Sequence, residues 1–128
     1  MSWEVEFTDE FAEWWDELDE GVQDSLDRGI HLLEALGPSL PFPHSSDVQG
    51  SRHGHMRELR VQRGGDPYRV FYAFDPRRAA LLLIGGCKAG DDRFYERMIP
   101  MADRIYDQHL DELTKERRRS KQPAKRRR

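Results

Sequence analysis

The sequence predicts an α+β domain in which an antiparallel β-sheet of about four strands packs with an N-terminal helix pair and a C-terminal helix. Three observations carry this. Residues 56–84 hold three extended apolar runs separated by turn sequences, residues 9–36 twice repeat apolar side chains at helical spacing, and a last amphipathic stretch opens near Asp91. A chain of 128 residues has the length for one such domain and not comfortably for two.

Trp3-Glu4-Val5-Glu6-Phe7 alternates apolar and acidic side chains with period two, the pattern of a short strand with one buried face. Thr8 ends it and is a good helix N-cap. Asp9 and Glu10 follow where the helix dipole favours negative charge, and Phe11, Trp14, Trp15 and Leu18 fall at helical spacing, so a helix is predicted from about 9 to 19. A second run, Val22, Leu26, Ile30, Leu33 and Leu36, continues to Gly37-Pro38, which stops it. The two helices are expected to pair antiparallel. Between Gly37 and His55, three prolines, Ser45-Ser46 and two glycines predict a long loop with no regular element, a kind of connection that in small domains is usually disordered or functional.

The runs Met56 to Gln62, Tyr68 to Phe74 and Ala79 to Ile84 are separated by Arg63-Gly64-Gly65-Asp66-Pro67 and Asp75-Pro76-Arg77-Arg78, so an antiparallel meander is the simplest topology. Leu81-Leu82-Leu83-Ile84 is apolar on both parities and should be the best-covered strand. Asp91 and Asp92 open a final helix striped by Phe94, Met98, Met101, Ile105 and Leu113, which Pro100 is expected to kink or restart. From Lys115 to Arg128 there is almost no apolar side chain, and the chain divides into a domain over 1–114 and a disordered basic tail over 115–128.

Charge is sorted along the chain. Residues 1–50 carry thirteen acids and one base, Arg28, whereas residues 51–95 carry nine bases and five acids and the tail from 115 carries nine bases and one acid. A net charge of −3 conceals this polarity, which predicts a polyanion-facing middle and end on an acidic back. No stretch approaches the roughly 18 to 20 apolar residues of a membrane span, and Met1-Ser2-Trp3-Glu4 lacks the order of a signal peptide, so no membrane association is expected. The single Cys87 excludes an intrachain disulfide and a cysteine-pair zinc site, as expected for the cytoplasm.

The central chemical feature is the cationic set on the meander: Arg57 and Arg60 on its first strand, Arg69 on its second and Lys88 just past its third. Adjacent strands lie about 5 Å apart, which puts such side chains within reach of one phosphate group. Parity separates them in part. Arg60 lies opposite Leu59 and Val61, with Met56 and Glu58, and should face away from the main core. Arg57 shares parity with the apolar pair but starts the strand and can sit at its rim. Arg69 shares parity with Phe71 and Ala73, so its head must reach an edge, a partner or a ligand. The plain alternative is a solvated, salt-bridged sheet face with Glu58 and Asp75 as partners. His53-Gly54-His55 with His44 lacks a third fixed ligand, so no metal is expected, and Cys87 reads as packing. Gly85-Gly86 lacks the lysine-serine ending of a phosphate loop, and no cofactor is expected.

The succession of helix pair, long loop, Met56-Arg57-Glu58-Leu59-Arg60, Tyr68-Arg69-Val70-Phe71-Tyr72 and Leu81-Leu82-Leu83-Ile84-Gly85-Gly86-Cys87-Lys88 before a last helix resembles the RelE/HigB superfamily of bacterial toxins, in its phage-derived HigB-like branch. The resemblance runs from about Trp3 to Leu113 and rests most on the E-L-R step followed by Y-R-V-x-Y. It implies a RelE-like fold and the toxin of a type II toxin–antitoxin system: a metal-independent endoribonuclease that cleaves messenger RNA in the ribosomal A site by 2′-hydroxyl attack. A cognate antitoxin, expected to be a helix-turn-helix protein of the HigA kind, neutralises it. The resemblance assigns Arg57, Arg60 and Arg69 to phosphate binding and transition-state stabilisation, and Lys88 to positive charge or, if desolvated, to proton abstraction. His55 and Tyr95 correspond to a stacking or proton-transfer pair. Arg52, Arg63, Lys115, Arg117, Arg118 and Arg119 are expected to bind RNA. The alternative within the same fold is a non-nuclease toxin of the ParE type, acting on DNA gyrase, or an inactive regulatory member.

Overall fold

The computed structural model describes residues 2–120. The elements follow in the order β1 (Val5–Phe7), α1 (Asp9–Asp16), α2 (Glu20–Leu36), a 3-10 turn (Gly37–Ser39), β2 (Ser45–Asp47), β3 (Arg57–Arg63), β4 (Asp66–Phe74), β5 (Ala80–Cys87) and α3 (Phe94–Ser120). Five strands form one sheet, ordered β1-β5-β4-β3-β2.

Local chemistry sets the first half. Thr8 caps α1 as predicted, its hydroxyl oxygen accepting from Phe11 N (3.0 Å) while the hydroxyl donates to the Leu83 carbonyl (2.7 Å), which ties the helix start to β5. Asp19 caps α2 by accepting from Val22 N (2.9 Å). The caps place the break between the helices at residues 17–19, so α1 ends at Asp16 and not near 19. Each helix then packs on its own strand, α1 over β5 and α2 over β3.

The expected meander is present. β3 and β4 join through Gly64-Gly65, whose φ values of +60° and +85° match the left-handed conformation that a tight hairpin turn requires. β5 is covered on both faces. Leu81 and Leu83 belong to one buried cluster with Phe71, Met98 and Ile105, under α3; Ala80 and Leu82 belong to another with Phe11, Leu26 and Leu59, under α1 and α2. A sheet sandwiched this way explains why β5 reads as a continuous apolar run. At Gly85, α1 comes so close that a Cβ would sit 2.3 Å from the Trp14 ring.

Three expectations are corrected. The sheet has five strands and is mixed, because β1 runs parallel to β5 (Val5 opposite Ala80). The loop 37–55 contains β2, which pairs antiparallel with β3 and buries Ser45, whose Oγ is 2.6 Å from the Tyr72 hydroxyl. A strand held by polar contacts has no period-two apolar signature to read. Finally, α3 continues without interruption through Pro100 to Ser120, so Lys115–Ser120 is helical instead of disordered. Extending an anchored helix adds one hydrogen bond per residue fixed, and Arg117, Arg118 and Arg119 complement its C-terminal dipole. The rest of the expected tail, 121–128, lies outside the described residues.

Candidate active site

Strand register builds the site. Arg60 on β3 stands directly opposite Arg69 on β4, and Arg69 in turn opposite Gly86 near the end of β5, so Lys88 emerges just beyond the same row. Period-two alternation turns Glu58, Arg60, Arg69 and Phe71 to the face that α3 covers. The first turn of α3 adds Tyr95, whose ring meets Phe71 edge-on with centroids 6.2 Å apart.

Glu58 is the hub of this cluster. Its Oε1 accepts the Tyr95 hydroxyl (2.7 Å) and lies 3.8 Å from Arg69 Nε; its Oε2 accepts the Ser46 hydroxyl (2.8 Å) and Arg60 Nη1 (3.3 Å). Lys88 Nζ stands 5.4 Å from the centre of the Tyr95 ring. Three cations around one carboxylate leave the cluster positive. Arg69 is 4% exposed; its Nη1 donates to the Tyr68 carbonyl (3.0 Å), but its Nε has no hydrogen-bond partner. A buried guanidinium N–H without a hydrogen-bond partner is costly, and here it faces the Glu58 carboxylate 3.8 Å away.

Burial, together with the hydrogen bond to Glu58, pushes the Tyr95 hydroxyl above its usual pKa, and Arg69 opposes this only in part. Tyr95 therefore keeps its proton at neutral pH, as a donor must. The cluster thus combines fixed positive charge, a proton donor and a carboxylate acceptor, the parts that a phosphodiester transfer uses.

Of the residues expected at the site, the structure brings Arg60, Arg69, Lys88 and Tyr95 together and places the others elsewhere. Arg57 faces away, one residue out of phase with Glu58. Its Nε donates to Ser45 Oγ (2.9 Å) and its Nη1 to Asp47, and it lines a cavity of about 580 Å³ with Trp3, Phe74 and the exposed His55. The convergence of Arg57 with Arg60 and Arg69 is therefore not found, since a single-residue step reverses the face of a strand. Arg52 is anchored on α3 through Asp103 and Asp107, beside His53, which bonds Asp107 (2.7 Å). Arg63 lies over Gly21 in the first turn of α2. Lys115 pairs with Asp111 (3.3 Å), and Lys115 to Arg119 sit about 30 Å or more along α3 from Tyr95 by helix rise. Asp75, considered as a partner for the arginines of the site, instead receives Arg77 and His109. Among the described residues no three His, Cys, Asp or Glu side chains converge as metal ligands would, and no helix is long and apolar enough to cross a membrane.

In the sequence Glu58 stands only as a salt-bridge partner, and Phe42 carries no expectation. The parity of Glu58 with Arg60 was the available signal for the first. An aromatic bracketed by Pro41 and Pro43 was the signal for the second.

The family model "Phage derived protein Gp49-like (DUF891)" matches residues 13–107. The chain belongs to the Gp49-like family. Two toxin candidates of Mycobacterium tuberculosis are similar to it: HigB2 is 38% identical over 112 residues, and HigB3 is 42% identical over 91 residues. The match to HigB2 takes in 84% of this chain and spans 56% of that protein's length; the match to HigB3 takes in 70% of this chain and 78% of the relative. These relatives place the Gp49-like chain among HigB-like toxin sequences. Its fold is that of RelE. A free-state mutant of Escherichia coli toxin RelE superposes with a TM-score of 0.56 at 12% identity, covering 77% of this chain and 96% of RelE. A chain of the archaeal RelE–RelB complex from Pyrococcus horikoshii gives 0.52 at 15% identity, covering 70% of this chain and 99% of that one.

Proposed function

We propose that this Gp49-like chain is the toxin of a type II toxin–antitoxin system and cleaves messenger RNA in the ribosomal A site, without a metal ion, until a cognate antitoxin neutralises it. The observation that carries this reading is the Glu58 hub, where two arginines and a protonated tyrosine meet one carboxylate and a buried guanidinium N–H lacks a hydrogen-bond partner. The RNA supplies its own nucleophile. The 2′-hydroxyl oxygen attacks the adjacent phosphorus, the bond to the 5′-oxygen breaks, and the products are a 2′,3′-cyclic phosphate and a free 5′-hydroxyl end.

Each part of the cluster has a task in that step. Arg69 and Arg60 hold the phosphate oxygens and stabilise the charge added in the phosphorane, the role for which a planar, permanently charged donor fork is suited. Lys88 adds charge at the rim. Glu58, which already accepts two hydroxyl hydrogens, takes the proton of the 2′-hydroxyl, and Tyr95 delivers its proton to the departing 5′-oxygen. Arg57 and His55, on the opposite face, take no part.

The test is to incubate the purified chain with ribosomes carrying a defined message, with and without EDTA. The reading predicts cuts within the A-site codon, in both conditions, ending in cyclic phosphate and 5′-hydroxyl. Intact message combined with inhibition of gyrase supercoiling would establish the ParE-type alternative instead.

A further inference from the structure

Phe42 is a large aromatic side chain left 69% exposed, and it stands at the outer end of the active cluster. The guanidinium carbon of Arg60 lies 5.1 Å from its ring centre, while Nη1 of the same arginine donates to Glu58 Oε2. One side chain therefore connects the exposed ring to the proposed phosphate site. The ring is also held in place. His44 N and Ser45 N donate to the Pro41 carbonyl (2.9 and 3.1 Å), and Arg60 N donates to the His44 carbonyl (2.8 Å), so the turn bearing Phe42 is bonded to itself and to β3. Pro41 and Pro43 on either side restrict the backbone further.

A ring this exposed gains little from burial, yet the chain fixes it beside a cation that itself faces the site. Unstacked bases of single-stranded RNA are recognised by aromatic faces and guanidinium planes, while cations take the phosphates between them. We infer that Phe42, backed by Arg60, is the stacking platform for a nucleobase next to the scissile linkage and sets the flanking-base preference of the toxin. A flat ring rewards the larger π-surface of a purine over that of a pyrimidine. This inference rests on the ribonuclease reading above and adds to it a specificity-determining residue.

The experiment compares wild type with Phe42→Leu, Phe42→Trp and Arg69→Ala on ribosomes carrying messages that differ only in the bases flanking the cut. It reads kcat/KM for each message and the capture of the cognate antitoxin. Phe42→Leu keeps an apolar side chain and removes the π face; its kcat/KM should fall roughly five- to a hundredfold, and its discrimination between purine and pyrimidine should flatten. Phe42→Trp should retain both. If Phe42→Leu cleaves every message within twofold of wild type while Arg69→Ala is inactive, the platform is wrong and the nuclease reading stands. If Phe42→Leu loses the antitoxin and keeps full cleavage, the ring belongs to the protein interface and the inference is overturned. A wild-type chain that cuts no message overturns both.

Discussion

Arg69 Nε lies 3.8 Å from Glu58 Oε1 on the neighbouring strand, and both side chains are almost sealed from water, at 5% and 7% exposed. Desolvating two charges is expensive, so the pair persists because each offsets the burial of the other and because Tyr95, Ser46 and Arg60 complete the hydrogen bonds of the carboxylate. At that separation the Nε–H has no hydrogen-bond partner.

Replacing Arg69 tests both aspects of that pair. Arg69→Ala should lower kcat/KM for message cleavage about 10²- to 10³-fold and, by leaving Arg60 as the one cation beside buried Glu58, cost about 2 kcal/mol of stability. Arg69→Lys keeps the charge but loses the planar fork; it should fold and still cleave at least about tenfold more slowly. Urea unfolding midpoints beside cleavage kinetics separate the two effects. An Arg69→Lys protein with wild-type rates would remove the guanidinium from the mechanism.

Tyr95 and Glu58 are predicted to act as a proton-transfer pair. Tyr95→Phe keeps the ring packed on Phe71 and Phe94 and removes only the hydroxyl. Cleavage should fall about 10²- to 10⁴-fold for a lost general acid, with about 1 kcal/mol lost in stability. Glu58→Gln keeps the shape of the side chain and cannot take up the proton, so it should show a similar loss. A Glu58→Gln protein that cleaves at the wild-type rate would assign the base to another group.

Arg57 provides the control on the other face. Arg57→Ala should cleave within about twofold of wild type while losing about 1 kcal/mol of stability, the worth of its bonds to Ser45 and Asp47. The measurement is the same pair of assays, and a Arg57→Ala protein that folds normally and does not cleave would show that the reaction uses the opposite face of the sheet.

Acid stability should depend on Asp75. Burial alone would raise its pKa, but hydrogen bonds from Arg77 and His109, with the backbone N–H of Ala79, outweigh burial and hold it below the ordinary 3.8. A carboxyl whose folded pKa is depressed contributes its stability above the unfolded value and loses it as pH falls through the folded one. Unfolding midpoints should therefore drop below about pH 4. Asp75→Asn should flatten that drop and cost about 2 kcal/mol at pH 7. An unchanged acid profile in Asp75→Asn would assign the lability elsewhere.

Much of this was legible in the sequence because it is written in local patterns. Thr8 before acidic residues, Gly64-Gly65 between apolar runs and the unbroken Leu81-Leu82-Leu83-Ile84 each encode one outcome, and all three are found. What stayed hidden depends on partners distant in the chain. β2 exists because Ser45 meets Tyr72 and the ladder of β3, and β1 pairs parallel with a strand more than seventy residues away in the chain, Val5 opposite Ala80. The site divides the same way. Parity already set Arg57 apart from Arg60, but only the approach of α3 brings Tyr95 onto Glu58, and only the turn at Pro41 lays Phe42 against Arg60.

The most direct test of the cluster as a ribonuclease centre is transcriptome-wide mapping of 5′-hydroxyl ends after brief induction in bacteria, with Arg69→Ala and Arg57→Ala expressed in parallel. The account predicts new 5′-hydroxyl ends in phase with codons inside translated frames, abundant for wild type and Arg57→Ala and absent for Arg69→Ala. Growth arrest with intact transcripts, or ends that persist in Arg69→Ala, would contradict it.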